Sequence, residues 1–285
     1  MATRDPRRRG GTPRRASRRP RRRRSDLRAR VIAAIPAIAF AIFIIAEGGL
    51  VFALGLLALG CICLHELYQL LEGARPVKLG GFLGLAALIF AALYGGQFEV
   101  LLVEVALLPV LFGLALMAPA GRPPTLSIAV TLFSLWWIGL AFAHAVLLRD
   151  LPHGGGIIVD VLVGTFVGDS GAYFGGRAYG QRPLSLRLSP NKTVEGLLIG
   201  MLTAVLATWF AGLYQDWLPG WSALLLGVGV ALTAPLGDLF ESLVKRDVGA
   251  KDTGALLGPH GGVLDRIDAV LFTVPVGYYV WHALM

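Results

Sequence analysis

The chain has 285 residues, of which 55% are hydrophobic and 15% charged, against about 45–50% apolar and about 25% charged for an average soluble domain. That balance excludes an ordinary soluble globule, and two cysteines, Cys61 and Cys63, are too few for a disulfide framework or a metal cage. The net charge of +8 comes from one end: residues 1–30 hold fourteen Arg, no Lys and two Asp, a net +12, while the remaining 255 residues carry −4.

Residues 1–30 read as a disordered, Arg-rich cytoplasmic arm that orients the first span and touches anionic lipid headgroups. The arm has no aromatic interleaving, so nucleic acid is not an expected partner. The apolar stretch behind it runs almost directly into a second one, unlike the short core and cleavage site of a secretory signal. A bilayer core takes about 20 apolar residues per helix. On that rule the chain divides into about nine spans, at 31–47, 49–71, 79–95, 98–117, 125–148, 156–178, 194–214, 221–244 and 263–284. The predicted fold is all-α: a polytopic transmembrane helical bundle over 31–285, with no internal repeat and no soluble domain.

Loop charges orient this bundle. With the N-terminus cytoplasmic, the inner loops carry Arg75 and Lys78, then Arg122, then Arg182, Arg187 and Lys192, then Lys245, Arg246 and Lys251; the outer loops carry only Arg149. This is the positive-inside pattern, and it puts the C-terminus outside. The expected location is a bacterial plasma membrane, with the chemistry facing the cytosol.

Along the spans, His65-Glu66 lies at an inner helix end, where a satisfied interfacial pair is the expectation. Glu104 has no visible partner in the fourth span. Glu47, Glu99, Asp150, Asp160 and His153 fall near predicted outer boundaries, and Trp136, Trp137, Trp217, Trp221 and Trp281 suit interfacial anchoring or packing. In the sixth span Thr165, Asp169, Tyr173 and Arg177 recur every four residues among glycines that favour close helix packing. Depth and topology aim Asp169 at the same cavity as Asp238. Ser189 to Gly196 opens the seventh span: Pro190 stiffens the loop, Thr193 can cap the helix, and Lys192 can meet a phosphate at the helix start.

The eighth span ends in a polar stripe, Asp238, Ser242 and Lys245 at i, i+4 and i+7, with Glu241 on its edge. An intramembrane aspartate is a functional residue by default, so Asp238 is assigned to a metal and Glu241 is the weaker candidate. Asp265 and Asp268 stand three apart at the start of the last span, behind Gly261-Gly262. Two hard carboxylates beside Lys and Arg suit Mg²⁺ whose shell is completed by substrate phosphates. Helix capping with an Asp265–Arg266 surface pair is the alternative for that pair alone.

Residues Ser242 to Asp268, with Lys245-Arg246, Lys251-Asp252, His260-Gly261-Gly262 and Asp265-Arg266-Ile267-Asp268, resemble position by position the signature of phosphatidate cytidylyltransferases, also called CDP-diacylglycerol synthases. Gly168 to Tyr173 and Ser189 to Gly196 are similar to that family's upstream motifs, so the motif-bearing part is about 155–285. The resemblance implies that CTP and phosphatidic acid, with Mg²⁺ and a monovalent cation such as K⁺ nearby, give CDP-diacylglycerol and pyrophosphate. It implies Asp238, Asp265 and Asp268 as catalytic metal ligands and Lys192 as a catalytic phosphate binder. Ser242, Lys245, Arg246, Lys251, Arg266 and Asp169 are then expected at the substrates, with His260 orienting or protonating. The lipid would enter laterally from the cytoplasmic leaflet; membrane lipids are partners, and a homodimer is left open. The rival readings are a CTP-dependent polyprenol or lipid kinase and a cation-coupled transporter.

Overall fold

The computed structural model describes residues 25–117, 124–185, 188–254 and 261–285. These are helical apart from one small hairpin. In order come α1 (Ser25–Glu47), α2 (Gly49–Leu70), α3 (Lys78–Tyr94), α4 (Gln97–Leu116), α5 (Pro124–Ser134), α6 (Leu140–Asp150), α7 (Gly154–Tyr179), β1 (Pro183–Ser185), β2 (Ser189–Thr193), α8 (Val194–Gly212), α9 (Gly220–Asp247), α10 (Leu264–Ile267) and α11 (Val270–Leu284). A π-helical turn, Leu135–Gly139, joins α5 to α6 without a break. Each of the nine apolar stretches read from the sequence falls on helix. Six helices among the described residues are long and apolar enough to cross a membrane, while Ile35–Glu47, Lys78–Tyr94 and Val270–Leu284 are apolar but shorter.

Two compact units divide the chain, Met1–Ala39 and Phe40–Met285, and α1 runs across their boundary. That helix starts at Ser25, inside the stretch assigned to a disordered arm; residues 1–24 lie outside the described residues. All packing below belongs to the second unit. Its α1 residues end at Gly48, whose φ of 69° suits glycine. There Arg149, at the end of α6, donates from Nε to the Ile45 carbonyl at 2.8 Å and from Nη2 to that of Ala46 at 3.3 Å. Arg149, which the sequence reading assigns to an outer loop, thus satisfies carbonyls that a helix end leaves open.

The tightest pairing is α7 against α8, and small residues make it. A Cβ added at Gly168 would stand 2.8 Å from Ala204 Cβ, and one at Gly200 would stand 2.6 Å from Ala172 Cβ and 3.0 Å from the Gly168 carbonyl. Backbones therefore touch where side chains would hold them apart. Next to this pair, Trp137 in the π turn packs edge-on against Phe240 of α9, ring centroids 4.9 Å apart. Phe133 and Phe272 close on the same ring at 5.7 and 5.4 Å.

Two features depart from an all-helical reading. β1 and β2 pair antiparallel, Pro183 opposite Thr193 and Ser185 opposite Ser189. The hairpin is tied to α8 because Glu195 accepts the N–H groups of Gln181 and Arg182 at 3.0 and 3.1 Å, while Thr193 Oγ1 caps the helix by accepting from Gly196 N–H at 3.1 Å. The last predicted span is also broken, into α10 and α11 with Asp268 between them. Near the start of α7, Asp160 is fully buried and accepts from Gln215 Nε2 at 2.8 Å. His153 stacks on Trp217 nearby, centroids 4.1 Å apart.

Replacing Gly200 by Val should destabilise the protein by about 1–3 kcal/mol, since backbone on the facing helix cannot yield. Gly113→Val, where a Cβ meets nothing within 4 Å, is the control. Thermal unfolding in detergent should show a clear drop for the first and little change for the second.

Candidate active site

Three stretches of chain far apart in sequence meet at the C-terminal end of α9. The helix presents Asp238, Glu241 and Lys245 on successive turns of one face. Glu241 is 2% exposed, and its Oε2 accepts from Lys245 Nζ at 2.6 Å. The same ammonium donates to Asp265 Oδ1 at 2.8 Å, so Lys245 bridges α9 to α10. Asp265 is further held by backbone: Thr253 N–H donates to its two oxygens at 3.0 and 3.2 Å, and Gly262 N–H to Oδ2 at 2.7 Å. Gly261 turns the chain into this arrangement with φ at 78°, in the left-handed region that favours glycine.

Asp268 lies on the other side of Glu241. It is buried, and its nearest charges are the carboxylates of Asp238 and Glu241. Close approach again depends on glycine: a Cβ at Gly237 would stand 2.5 Å from the Asp268 carbonyl oxygen. The hairpin supplies the counter-charge, with Lys192 Nζ 2.7 Å from Asp238 Oδ2 and both side chains partly open to solvent. Asp169 on α7 stands within the electrostatic field of Asp238 and Lys192.

Asp265 and Asp268 precede the apolar segment Val270–Leu284, and their surroundings push them apart. Burial opposes the charge on Asp265, but Lys245 and the N–H groups of Gly262 and Thr253 outweigh it and hold the carboxyl below its usual range. Burial, together with the like charges of Asp238 and Glu241, drives Asp268 well above its usual range. Three carboxylates, Asp238, Glu241 and Asp268, are thus crowded together, with Lys192 and Lys245 paired to two of them.

Among the described residues, no three His, Cys, Asp or Glu side chains already form a metal cage. The donor set nevertheless fits Mg²⁺, which takes one or two carboxylates and leaves other positions to substrate phosphates. The donors are hard oxygens, and Glu241 Oε1 is buried with no hydrogen-bond partner. A cation beside Asp238, Glu241 and Asp268 would relieve the like-charge crowding that raises Asp268.

The cytidylyltransferase family model matches residues 28–284 of this chain. The chain belongs to that family. It is 34% identical over 265 residues to the phosphatidate cytidylyltransferase of Bacillus subtilis, covering 90% of this chain and 97% of that protein. The Haemophilus influenzae phosphatidate cytidylyltransferase is 39% identical over 142 residues, 48% of this chain and 49% of its own. One from Helicobacter pylori is 44% identical over 128 residues, 45% of this chain and 46% of its own.

In this family member the structure gathers Asp238, Asp265, Asp268, Lys192 and Lys245, and brings Asp169 near them. Two of them make contacts that the sequence reading did not foresee. Asp265, expected at a metal, has both oxygens engaged by hydrogen bonds. Lys245, expected at a phosphate, is 14% exposed and shared between two carboxylates. Ser242 is half-buried on α9, and Arg246, Lys251 and Arg266 are exposed. His260 lies outside the described residues. Glu241, the weaker candidate, sits at the centre of the cluster.

Sequence reasoning missed Glu66. Expected to pair with His65 at an interface, it is 3% exposed and accepts the N–H groups of Val263 and Leu264 at 3.0 and 2.9 Å. His65 instead pairs with Gln69 at 2.9 Å. The only local signal was a carboxylate one turn from the end of an apolar helix.

Asp268→Asn should raise the unfolding temperature by a few degrees at pH 7 without added Mg²⁺, because it removes a buried carboxyl that must take up a proton to stay in the fold. The raised carboxyl makes the folded protein bind more protons than the unfolded chain, so its cost grows as pH rises above about 4. The gain over wild type should therefore vanish below that pH in a thermal-shift series.

Proposed function

We propose that this protein transfers the cytidylyl group of CTP to the phosphate of phosphatidic acid, forming CDP-diacylglycerol and releasing pyrophosphate. The observation that carries this reading is the convergence of Lys192–Asp238, Glu241–Lys245–Asp265 and Asp268 at one end of an apolar helical bundle. The family signature lies on those same residues. The named activity of the Bacillus relative, matched over 97% of its length, supports the substrates.

The bundle is read as about nine spans with the N-terminus in the cytoplasm of a bacterial cell. Support comes from nine helical segments and from loop charge, with Lys78, Arg182, Lys192, Lys245, Arg246 and Lys251 on one side and Arg149 on the other. The site then opens on the cytoplasmic face of the plasma membrane, where nucleotide arrives from water and phosphatidate from the inner leaflet.

A phosphate monoester near neutral pH is already an anionic nucleophile and needs no strong general base. One of its oxygens attacks the α-phosphorus of CTP, and the bond to the β-phosphate bridging oxygen breaks as pyrophosphate leaves. Catalysis of this kind rests on positioning and charge neutralisation. Mg²⁺, held by Asp238 and Asp268 with Asp265 and Glu241 beside them, would neutralise the triphosphate and the charge that develops on the leaving group. Lys192 is the mobile counter-charge: partly exposed on the hairpin, it can leave Asp238 for a phosphate. Arg246, Lys251 and Arg266 line the exposed rim and attract the nucleotide. Lys245 and Asp265 keep α9 and α10 in register while the substrates bind.

Incubating the purified protein with phosphatidic acid, Mg²⁺ and CTP labelled at the α or the γ phosphorus decides the reaction. Label from the α position should enter the lipid and label from the γ position should leave in pyrophosphate; γ label in the lipid would make it a kinase. Asp265→Asn and Asp268→Asn should each lose turnover by at least 100-fold while the protein still inserts and purifies. Normal turnover in either variant removes that residue from the proposed centre. Lys192→Ala should keep the fold but cut turnover at least tenfold, the lost positive charge being partly replaced by the exposed bases.

A further inference from the structure

Glu66 belongs to α2, outside the motif-bearing region, yet it is built into the motif. Its side chain is buried, 3% exposed. Its two oxygens are used on consecutive backbone donors, Oε1 by Val263 N–H at 3.0 Å and Oε2 by Leu264 N–H at 2.9 Å. The neighbouring chain is shaped to admit it. A Cβ at Gly254 would stand 2.8 Å from Oε1, and one at Gly262 would stand 2.5 Å from Oε2. Thr253 and Gly262, beside those positions, donate their N–H groups to Asp265. Glu66 and Asp265 therefore both lie against the segments at 253–254 and 262–264, and Asp268 follows one turn later.

A buried carboxylate is costly unless hydrogen-bonded, and an apolar residue at the end of α2 would pack against α10 without that cost. What a two-pronged acceptor adds is geometry, since it fixes consecutive N–H groups and so the direction in which the following residues point. Carboxylates that meet phosphate or metal need placement within about 0.5 Å, supplied by supporting hydrogen bonds. Resting on the cytidylyl-transfer reading above, we infer that Glu66 is a positioning residue of the nucleotide site. By holding Val263 and Leu264 it sets Asp265 and Asp268 against Asp238 and Glu241.

Two variants test this. Glu66→Gln keeps the shape but turns an amide N–H donor toward a backbone N–H donor. Gly262→Ala leaves Glu66 intact but pushes a methyl group into its carboxylate. Both are measured for unfolding temperature, for kcat and KM toward CTP and phosphatidate, and for CTP affinity by equilibrium dialysis with Mg²⁺ and no lipid. Both should raise the KM and the Kd for CTP at least tenfold while the KM for phosphatidate stays within twofold. A merely structural role would lower kcat in step with the folded fraction and leave both KM values at wild type, overturning the assignment. Failure of both variants to fold would overturn it as well; if only one folds, that one decides. A wild-type protein that transfers no cytidylyl group would sink the proposed function itself, whereas normal wild-type turnover with unchanged CTP constants in the variants sinks only the role of Glu66.

Discussion

Buried carboxylates beside hydrocarbon persist only where something specific holds them, and this molecule is organised around that constraint. Glu241 and Asp265 survive burial because one ammonium, Lys245, reaches both at 2.6 and 2.8 Å. Glu66 does so with two backbone N–H groups. Asp238 lies nearer water and pairs with Lys192 on the hairpin. Asp268 accepts the Ala269 N–H at 2.9 Å but is buried next to two other carboxylates. Breaking a buried pair by removing one partner commonly costs several kcal/mol, so these contacts constrain the end of the bundle more tightly than apolar packing could.

The scaffold around the charges is set by absence of side chain. Glycines bring α7 and α8 to backbone contact, and Gly237 does the same between α9 and the Asp268 turn. Aromatic rings then fill the space behind the cluster, with Phe240 held among Phe133, Trp137 and Phe272. On the hairpin, Lys192 pairs with Asp238 while its side chain stays 38% exposed, and Arg246, Lys251 and Arg266 are exposed as well.

The opposite end of the second unit solves a different problem. Arg149 satisfies the last carbonyls of α1, Asp160 takes a hydrogen bond from Gln215, and Trp281 Nε1 donates to the Pro152 carbonyl at 2.9 Å. These contacts tie helix ends to one another and carry no cluster of bases. Polar groups at this end serve connection, although Asp160 Oδ2 and Gln215 Oε1 are buried without a hydrogen-bond partner.

Sequence alone determined much of this protein, and the reason is periodicity and solvent. Hydrocarbon demands long apolar runs, so the helices could be read from hydropathy, with breaks at Gly48, Pro152 and Pro219. The i, i+4, i+7 stripe on α9 follows from 3.6 residues per turn, and Thr193 announced its cap by residue type. What one dimension could not show is which charges meet. Glu66 lies 197 residues from Val263 and has no spacing that relates the two, and only folding makes Lys245 a bridge rather than a rim base. The short hairpin escaped as well, because strands of three and five residues leave no legible alternation. Helices are written in local spacing; the partner of a buried charge is chosen by whatever the tertiary fold carries within 3 Å of it.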